Sequence, residues 1–231
     1  MSYIVWKGVN SSTIPGLLIQ ELPSISKPPM RYNTIDVDGR DGEIIQELGY
    51  GSYDKVLSIA LTRGFDINQV IKYFSGSGNL VFSNESDKYY KAKILEQVDY
   101  ERLLKFRTAT VIFRVEPYKY KMSETETDVS ITSQESVSVT NSGLEVSKPL
   151  ITLYGSGEIT FTLDSIDIFT INIGDDGSVV IDSDEENAYL GSVLKNRNMT
   201  GKFPVLQPGS NTITWTGSLT RIKVNPRSRW L

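Results

Sequence analysis

The chain has 231 residues, 39% of them hydrophobic and 10% aromatic, with no cysteine and no histidine. That length suits one large all-β unit or two ordinary domains with cores of their own. The two missing residue types exclude disulfides, thiolate and Ser–His–Asp catalysis, and His- or Cys-ligated zinc, haem or iron–sulfur sites. The net charge of −4 is uneven: residues 1–121 carry 16 Lys/Arg against 14 Asp/Glu, and residues 122–231 carry 8 against 14, which places a domain boundary near residue 121 and argues against a non-specific nucleic-acid binder.

In chain order, "YIVWKGV" (3–9) reads as a strand, and Pro15-Gly16 turns into a second one. Three prolines make "PSISKPPM" (23–30) an extended connector, followed by a strand at 31–37 and a turn-rich loop, "DGRDGE", at 38–43. In "DKVLSIALTR" (54–63) Val56, Ser58 and Ala60 alternate with Lys55, Leu57, Ile59 and Leu61, a strand expected to be buried on both faces. One helix is predicted, capped by Asp66 with Gln69 three residues on, its stripe being Ile67, Val70, Ile71 and Phe74. Strands follow at 79–83, 88–101 and 109–120, the alternation in the last being ended by Pro117.

An acidic passage (123–137) leads into a regular second half with strands at 149–157, 158–165, 168–174, 178–183, 211–217 and 221–227. "DDG" (175–177) reads as a hairpin turn between its neighbours, and Pro204 and Pro208-Gly209 as a corner that feeds a closing strand. Strands every 8–12 residues without helical period suit a β-sandwich.

Candidate chemistry is sparse. The acidic run 174–187 has the oxygen ligands of a calcium site, but Asn187 stands where the loop needs Gly, so a solvated loop is expected and no metal or cofactor is assigned. A carboxylate hydrolase would need two acids set across a cleft, which no spacing here marks. Trp215 shares a face with Ile213 and reads as core, whereas Trp230, between Arg229 and the end, reads as a contact with another chain or domain. The basic tail (Arg221, Lys223, Arg227, Arg229) is expected to pair with nearby acids. No stretch approaches the roughly 20 apolar residues that would span a bilayer, and the start shows no signal peptide, so synthesis in a cytoplasm is expected.

The ordered set "YIVWKGV", "VDGRDG", "ELGYGSYDKVLSIALT", the capped helix and "EPYKY", then "SKPLITLYGSGEITFTL", "VVIDSDEENAY", "MTGKFPVLQPGSNTITWTG" and "RIKVNPRSRWL", resembles the distal tail proteins of long-tailed phages of Gram-positive bacteria over about residues 3–230. "GKFPVLQPGSN" is its most specific motif.

The resemblance implies a mainly β chain: an N-terminal β-sandwich (1–121) with one short helix and an extended arm, then a C-terminal galectin-like β-sandwich (122–231). It implies a non-catalytic hexameric ring at the distal end of a phage tail. That ring would join the tail tube protein to the tape-measure protein and to a tail-associated lysin or receptor-binding protein, with DNA passing through unbound. Lys27, Pro28 and Pro29 of the connector, Arg40 and Asp41 of the loop, and Trp230 are the expected inter-subunit or partner contacts. The alternative is a carbohydrate-binding sandwich module active in host adsorption.

Overall fold

The computed structural model describes residues 2–96, 98–133 and 135–231. Its contacts divide the chain into two compact units, Met1–Met122 with Leu231, and Ser123–Trp230.

The first unit holds β1 (Ile4–Trp6), β2 (Val9–Asn10), β3 (Leu17–Glu21), β4 (Met30–Asp36), β5 (Glu43–Tyr50), β6 (Tyr53–Leu61), α1 (Ile67–Tyr73), β7 (Ser77–Phe82), β8 (Lys88–Lys93), α2 (Tyr100–Phe106) and β9 (Thr108–Lys121). Seven strands form one antiparallel sheet in the order β2-β1-β7-β8-β9-β6-β3, while β4 and β5 pair only with each other. The sheet curls around a core in which Trp6 meets the Phe113 ring edge-on at 5.1 Å, and Phe74 meets it from the helix side at 6.3 Å. Strand β6 buries Tyr53, Lys55, Leu57, Ile59 and Leu61 but leaves Val56 49% exposed, so only one of its faces is covered.

Asp66 caps α1 by accepting from the Asn68 amide at 2.9 Å. The Gln69 amide donates to the same carboxylate at 3.1 Å, a side-chain version of the expected box. Ile71 stays 40% exposed, so the buried stripe is narrower than the spacing implied.

Two expectations fail in the stretch that follows. The strand predicted over 88–101 stops at Lys93, and a second helix, α2, begins after Asp99, which accepts from the Arg102 amide at 2.8 Å. With only Leu103 buried in its seven residues, α2 has too little apolar period to show in a sequence. Nor does Pro117 end β9. Tyr90 faces Lys119 and Ala92 faces Val115, so residues 116–118 bulge against Lys91, where a proline costs no ladder hydrogen bond.

The second unit holds β10 (Thr127–Ser130), β11 (Ser136–Asn141), β12 (Leu150–Leu163), β13 (Ile166–Gly174), β14 (Ser178–Asp182), β15 (Asn187–Leu190), β16 (Val193–Leu194), β17 (Met199–Gly201) and β18 (Gly209–Asn225). What read as four strands, 149–157 with 158–165 and 211–217 with 221–227, is two long ones, β12 and β18.

These two strands run alongside each other through a corner. Before it, β12 lies between β14 and the far end of β18; beyond it, between β13 and the near end of β18. The corner is built on glycine. A Cβ on Gly155 would strike the carbonyl oxygen of Ser218, and one on Gly217 (φ +98°) the carbonyl oxygen of Glu158. Ile151, Leu153, Ile159, Phe161, Ile213, Ile222 and Val224 fill the space between the layers, with Phe161 stacked on Phe169 at 4.8 Å.

"DDG" is therefore no hairpin turn. Strands β13 and β14 both pair with β12 and not with each other, so Asp175–Gly177 carries the chain around the same corner. The hairpin lies one strand earlier, where Asp164 (φ 50°) and Ser165 (φ 68°) join β12 to β13.

Three of the four basic tail residues pair with acids, while Arg229 Nε donates to the Val146 carbonyl at 2.6 Å. Arg221 forks onto Asp128 at 2.7 and 2.6 Å, Lys223 reaches Glu126 at 3.0 Å, and Arg227 forks onto Asp182 at 2.6 and 2.8 Å. Burial raises the Asp182 pKa, but the Arg227 hydrogen bonds and the amides of Glu185 and Asp184 outweigh it and hold the carboxyl below its ordinary value.

Two outcomes follow. Gly217→Ala should destabilise the second unit by about 2–3 kcal/mol in urea unfolding. The control Gly177→Ala, at positive φ but with open space around it, should cost about 1 kcal/mol. Since Asp182 has a lower pKa folded than unfolded, its contribution is complete above about pH 4 and disappears as pH falls through the folded value. The stability gap between wild type and Asp182→Asn, measured by thermal unfolding, should therefore be wide at neutral pH and shrink in acid.

Candidate functional site

Among the described residues, β4 and β5 form a ribbon that no third strand joins. Its register sets Tyr32 opposite Glu47 and Thr34 opposite Ile45 on one face, and Asn33 opposite Gln46 and Ile35 opposite Ile44 on the other. Every residue of β4, and all of β5 but Tyr50, is exposed, including Tyr32 (57%), Ile45 (58%) and Ile35 (48%). An isolated two-stranded hairpin is marginally stable in water. This one leaves both outer edges without ladder partners and apolar side chains on both faces, a surface suited to being covered.

The ribbon leaves the body by two threads. The connector runs in against the inner face of the sheet: Asn84 donates to the Pro23 carbonyl at 3.3 Å, Lys55 Nζ to the Ser24 carbonyl at 2.7 Å and the Ser26 hydroxyl at 3.3 Å, and the Tyr53 hydroxyl to the Ser26 carbonyl at 3.4 Å. The return thread passes through Gly51, whose amide donates to the Pro29 carbonyl at 2.8 Å, and runs directly into β6. Pro28 is buried, while Lys27 is exposed with Nζ 5.2 Å above the Tyr50 ring.

Beneath the root is a group of buried polar side chains. Lys119 Nζ lies 2.8 Å from one oxygen of Glu85, and the Tyr90 hydroxyl donates to the other at 2.7 Å. Lys55 Nζ sits 5.1 Å from the Tyr53 ring centre and 5.5 Å from that of Tyr90. Burial pulls the Lys55 pKa down; Glu85 opposes that and Lys119 adds to it. Burial likewise pushes the Tyr53 and Tyr90 hydroxyls above their ordinary values.

The sequence-predicted residues are distributed along this feature. Lys27, Pro28 and Pro29 line its root, and Arg40 and Asp41 are exposed at its tip, where the Arg40 amide donates to the Val37 carbonyl at 3.1 Å. Trp230 is half-buried in the last residues of the chain, apart from the ribbon in sequence. Sequence reasoning missed β5, the exposed apolar residues of the ribbon, and Lys55. Only Lys55 left a signal, as a charge at an inward position of the alternation Tyr53-x-Lys55-x-Leu57.

The acidic run is occupied by partners from the chain itself. Asp176 pairs with Lys195 at 2.6 Å, and Asp182, besides taking Arg227, accepts from the amides of Asp184 and Glu185. Trp6 is fully buried, and Trp215 packs against the second core.

Two β units in series, the first carrying a ribbon of its own, are an arrangement shared with a solved phage protein. The chain is similar over its whole length, at 18% identity and a TM-score of 0.75, to the crystal structure of the SPP1 Dit protein (gp 19.1), a hub of the adsorption apparatus in phages infecting Gram-positive bacteria; both chains are covered completely. Weaker likenesses, at 11% identity, are to a chain of the activated phage p2 baseplate with Sr (TM-score 0.46, covering 96% of this chain and 97% of that one) and with Ca (0.42, 96% and 98%). No family model and no curated protein matches the chain.

Breaking the buried pair under the root should be costly while replacing it whole should not. Glu85→Ala, which strands Lys119, should lose about 3–5 kcal/mol in chemical denaturation. Glu85→Leu combined with Lys119→Met should recover most of that loss.

Proposed function

We propose that this protein is a non-catalytic hub of a phage tail tip. Six copies form a ring through their first units, joining the tail tube protein to the tape-measure protein and to a tail-associated lysin or receptor-binding protein, and DNA passes through the bore without specific contacts. The second unit is a galectin-like sandwich carried on the ring, and the protein resides at the distal end of the virion tail after synthesis in the host cytoplasm.

The observation that carries this reading is the ribbon β4–β5. A two-stranded element with unpaired edges and apolar side chains on both faces is stable when a neighbouring copy supplies the missing strands and cover. Contacts that repeat head to tail close into rings where the rotation between copies adds up to a full turn. The end-to-end likeness in fold to a tail hub supports the same reading.

The predicted contacts fit it as well. Arg40 and Asp41 lie at the tip that would reach the neighbour, and Lys27, Pro28 and Pro29 at the root that aims it. Charged side chains buried elsewhere are engaged within the chain, Lys119 with Glu85 and Asp182 with Arg227, which suits a body that acts by shape.

Replacing residues 31–49 by a short Gly/Ser turn should leave a folded monomer that forms no ring. Mass measurement and electron microscopy of the protein mixed with its tail partners check this; rings formed without the ribbon would refute its role.

A further inference from the structure

The least expected residue of the first unit is Lys55. It occupies an inward position of β6 between Tyr53 and Leu57, where the alternation calls for an apolar side chain, and it is 3% exposed. Its hydrogen bonds go to a carbonyl and a hydroxyl of the connector rather than to a carboxylate. A desolvated ammonium without an ion-pair partner costs several kcal/mol, which two ring faces and two neutral acceptors only partly offset. Sites that break a local rule at such a cost are where function is expected.

What the ammonium holds is specific. Residues 22–29 belong to no strand, so nothing in a ladder fixes their path. Lys55 grips this segment at Ser24 and Ser26, a few residues before β4 begins, while its own strand starts three residues after β5 ends. The two threads of the ribbon thus converge on one side chain. Asn84 at Pro23 and Tyr53 at Ser26 reinforce the hold with single hydrogen bonds of 3.3 and 3.4 Å.

We propose that Lys55 is a positioning residue that clamps the connector to β6 and so fixes the direction in which the β4–β5 ribbon leaves the body. Its importance for assembly rests on the ring reading; the clamp itself is a property of the isolated chain. The expense of burying the charge is the cost of presenting the ribbon ready-aimed, so that ordering it is not deferred to the moment of association.

The test is Lys55→Met, which keeps the stem and removes the charge. In the isolated full-length protein its thermal midpoint should be equal to or above that of wild type, since an unpaired buried charge is lost. Amide exchange across residues 23–50 should nevertheless accelerate about tenfold, with β7, β8 and β9 unchanged. Trypsin should cut faster after Arg31. A residue that merely filled the core would not separate these readouts. Unaltered exchange and cleavage over 23–50 in the folded variant would overturn the clamp.

If Lys55→Met does not fold, Ser26→Ala removes one acceptor at an exposed position and should accelerate exchange about threefold over the same segment; no change there would overturn the clamp equally. Mixed with tail partners, Lys55→Met should need about tenfold more protein than wild type to form rings, and equal assembly would overturn the aiming role. If wild type itself forms no ring, the ring reading fails, and exchange in the isolated chain still decides the clamp.

Discussion

A β-strand can serve two packed layers only if its backbone turns the corner between them without giving up its ladder. The second unit meets that constraint twice in parallel, with β12 and β18 bending side by side where Gly155 and Gly217 let two backbones approach closer than any Cβ would allow. In the first unit β9 meets a milder form of it by placing Pro117 in a bulge, where the missing amide hydrogen is not needed. Both cores and their flanking strands depend on this continuity. The strands that pair with β12 on either side of the corner would otherwise belong to separate sheets with nothing to hold them in register.

The same constraint explains what could be read from the sequence. Alternation identified most of the strands, and the Asp66 cap identified α1, because both signals are local. Glycine within a strand and glycine within a loop look alike in one dimension, so local pattern divides β12 and β18 at their corners and marks Asp175–Gly177 as a hairpin that the pairing does not form. Helix α2 has one buried residue and left no period. The ribbon was half visible: β4 read as a strand, but β5, bearing Ile44 and Ile45 on opposite faces, carries no inside-outside pattern because it has no inside within its own chain. The prolines of 23–29 pointed to an extended segment, and the structure shows that segment to be the root from which the longer ribbon projects.

Charge in this molecule is employed as fastening. In the second unit, Arg221, Lys223 and Arg227 each hold an acid from a distant part of the chain, tying the last strand to its surroundings. In the first unit, Glu85 and Lys119 form a pair beneath the ribbon, and the buried Lys55 beside them gives its hydrogen bonds to backbone and hydroxyl oxygens. The ribbon of the first unit carries apolar side chains on two faces that its own sheet does not cover.

The carboxylate of Glu124 receives both the amide and the hydroxyl of Ser228, at 2.8 and 3.2 Å. The second sandwich therefore begins and finishes at one stitched spot, with about a hundred residues looped out between. The hold is doubled: the Ser228 hydroxyl also accepts from the Ser142 amide at 3.0 Å, and Arg229 Nε donates to the Val146 carbonyl at 2.6 Å, so the two ends of the unit are joined through polar contacts as well as through its core.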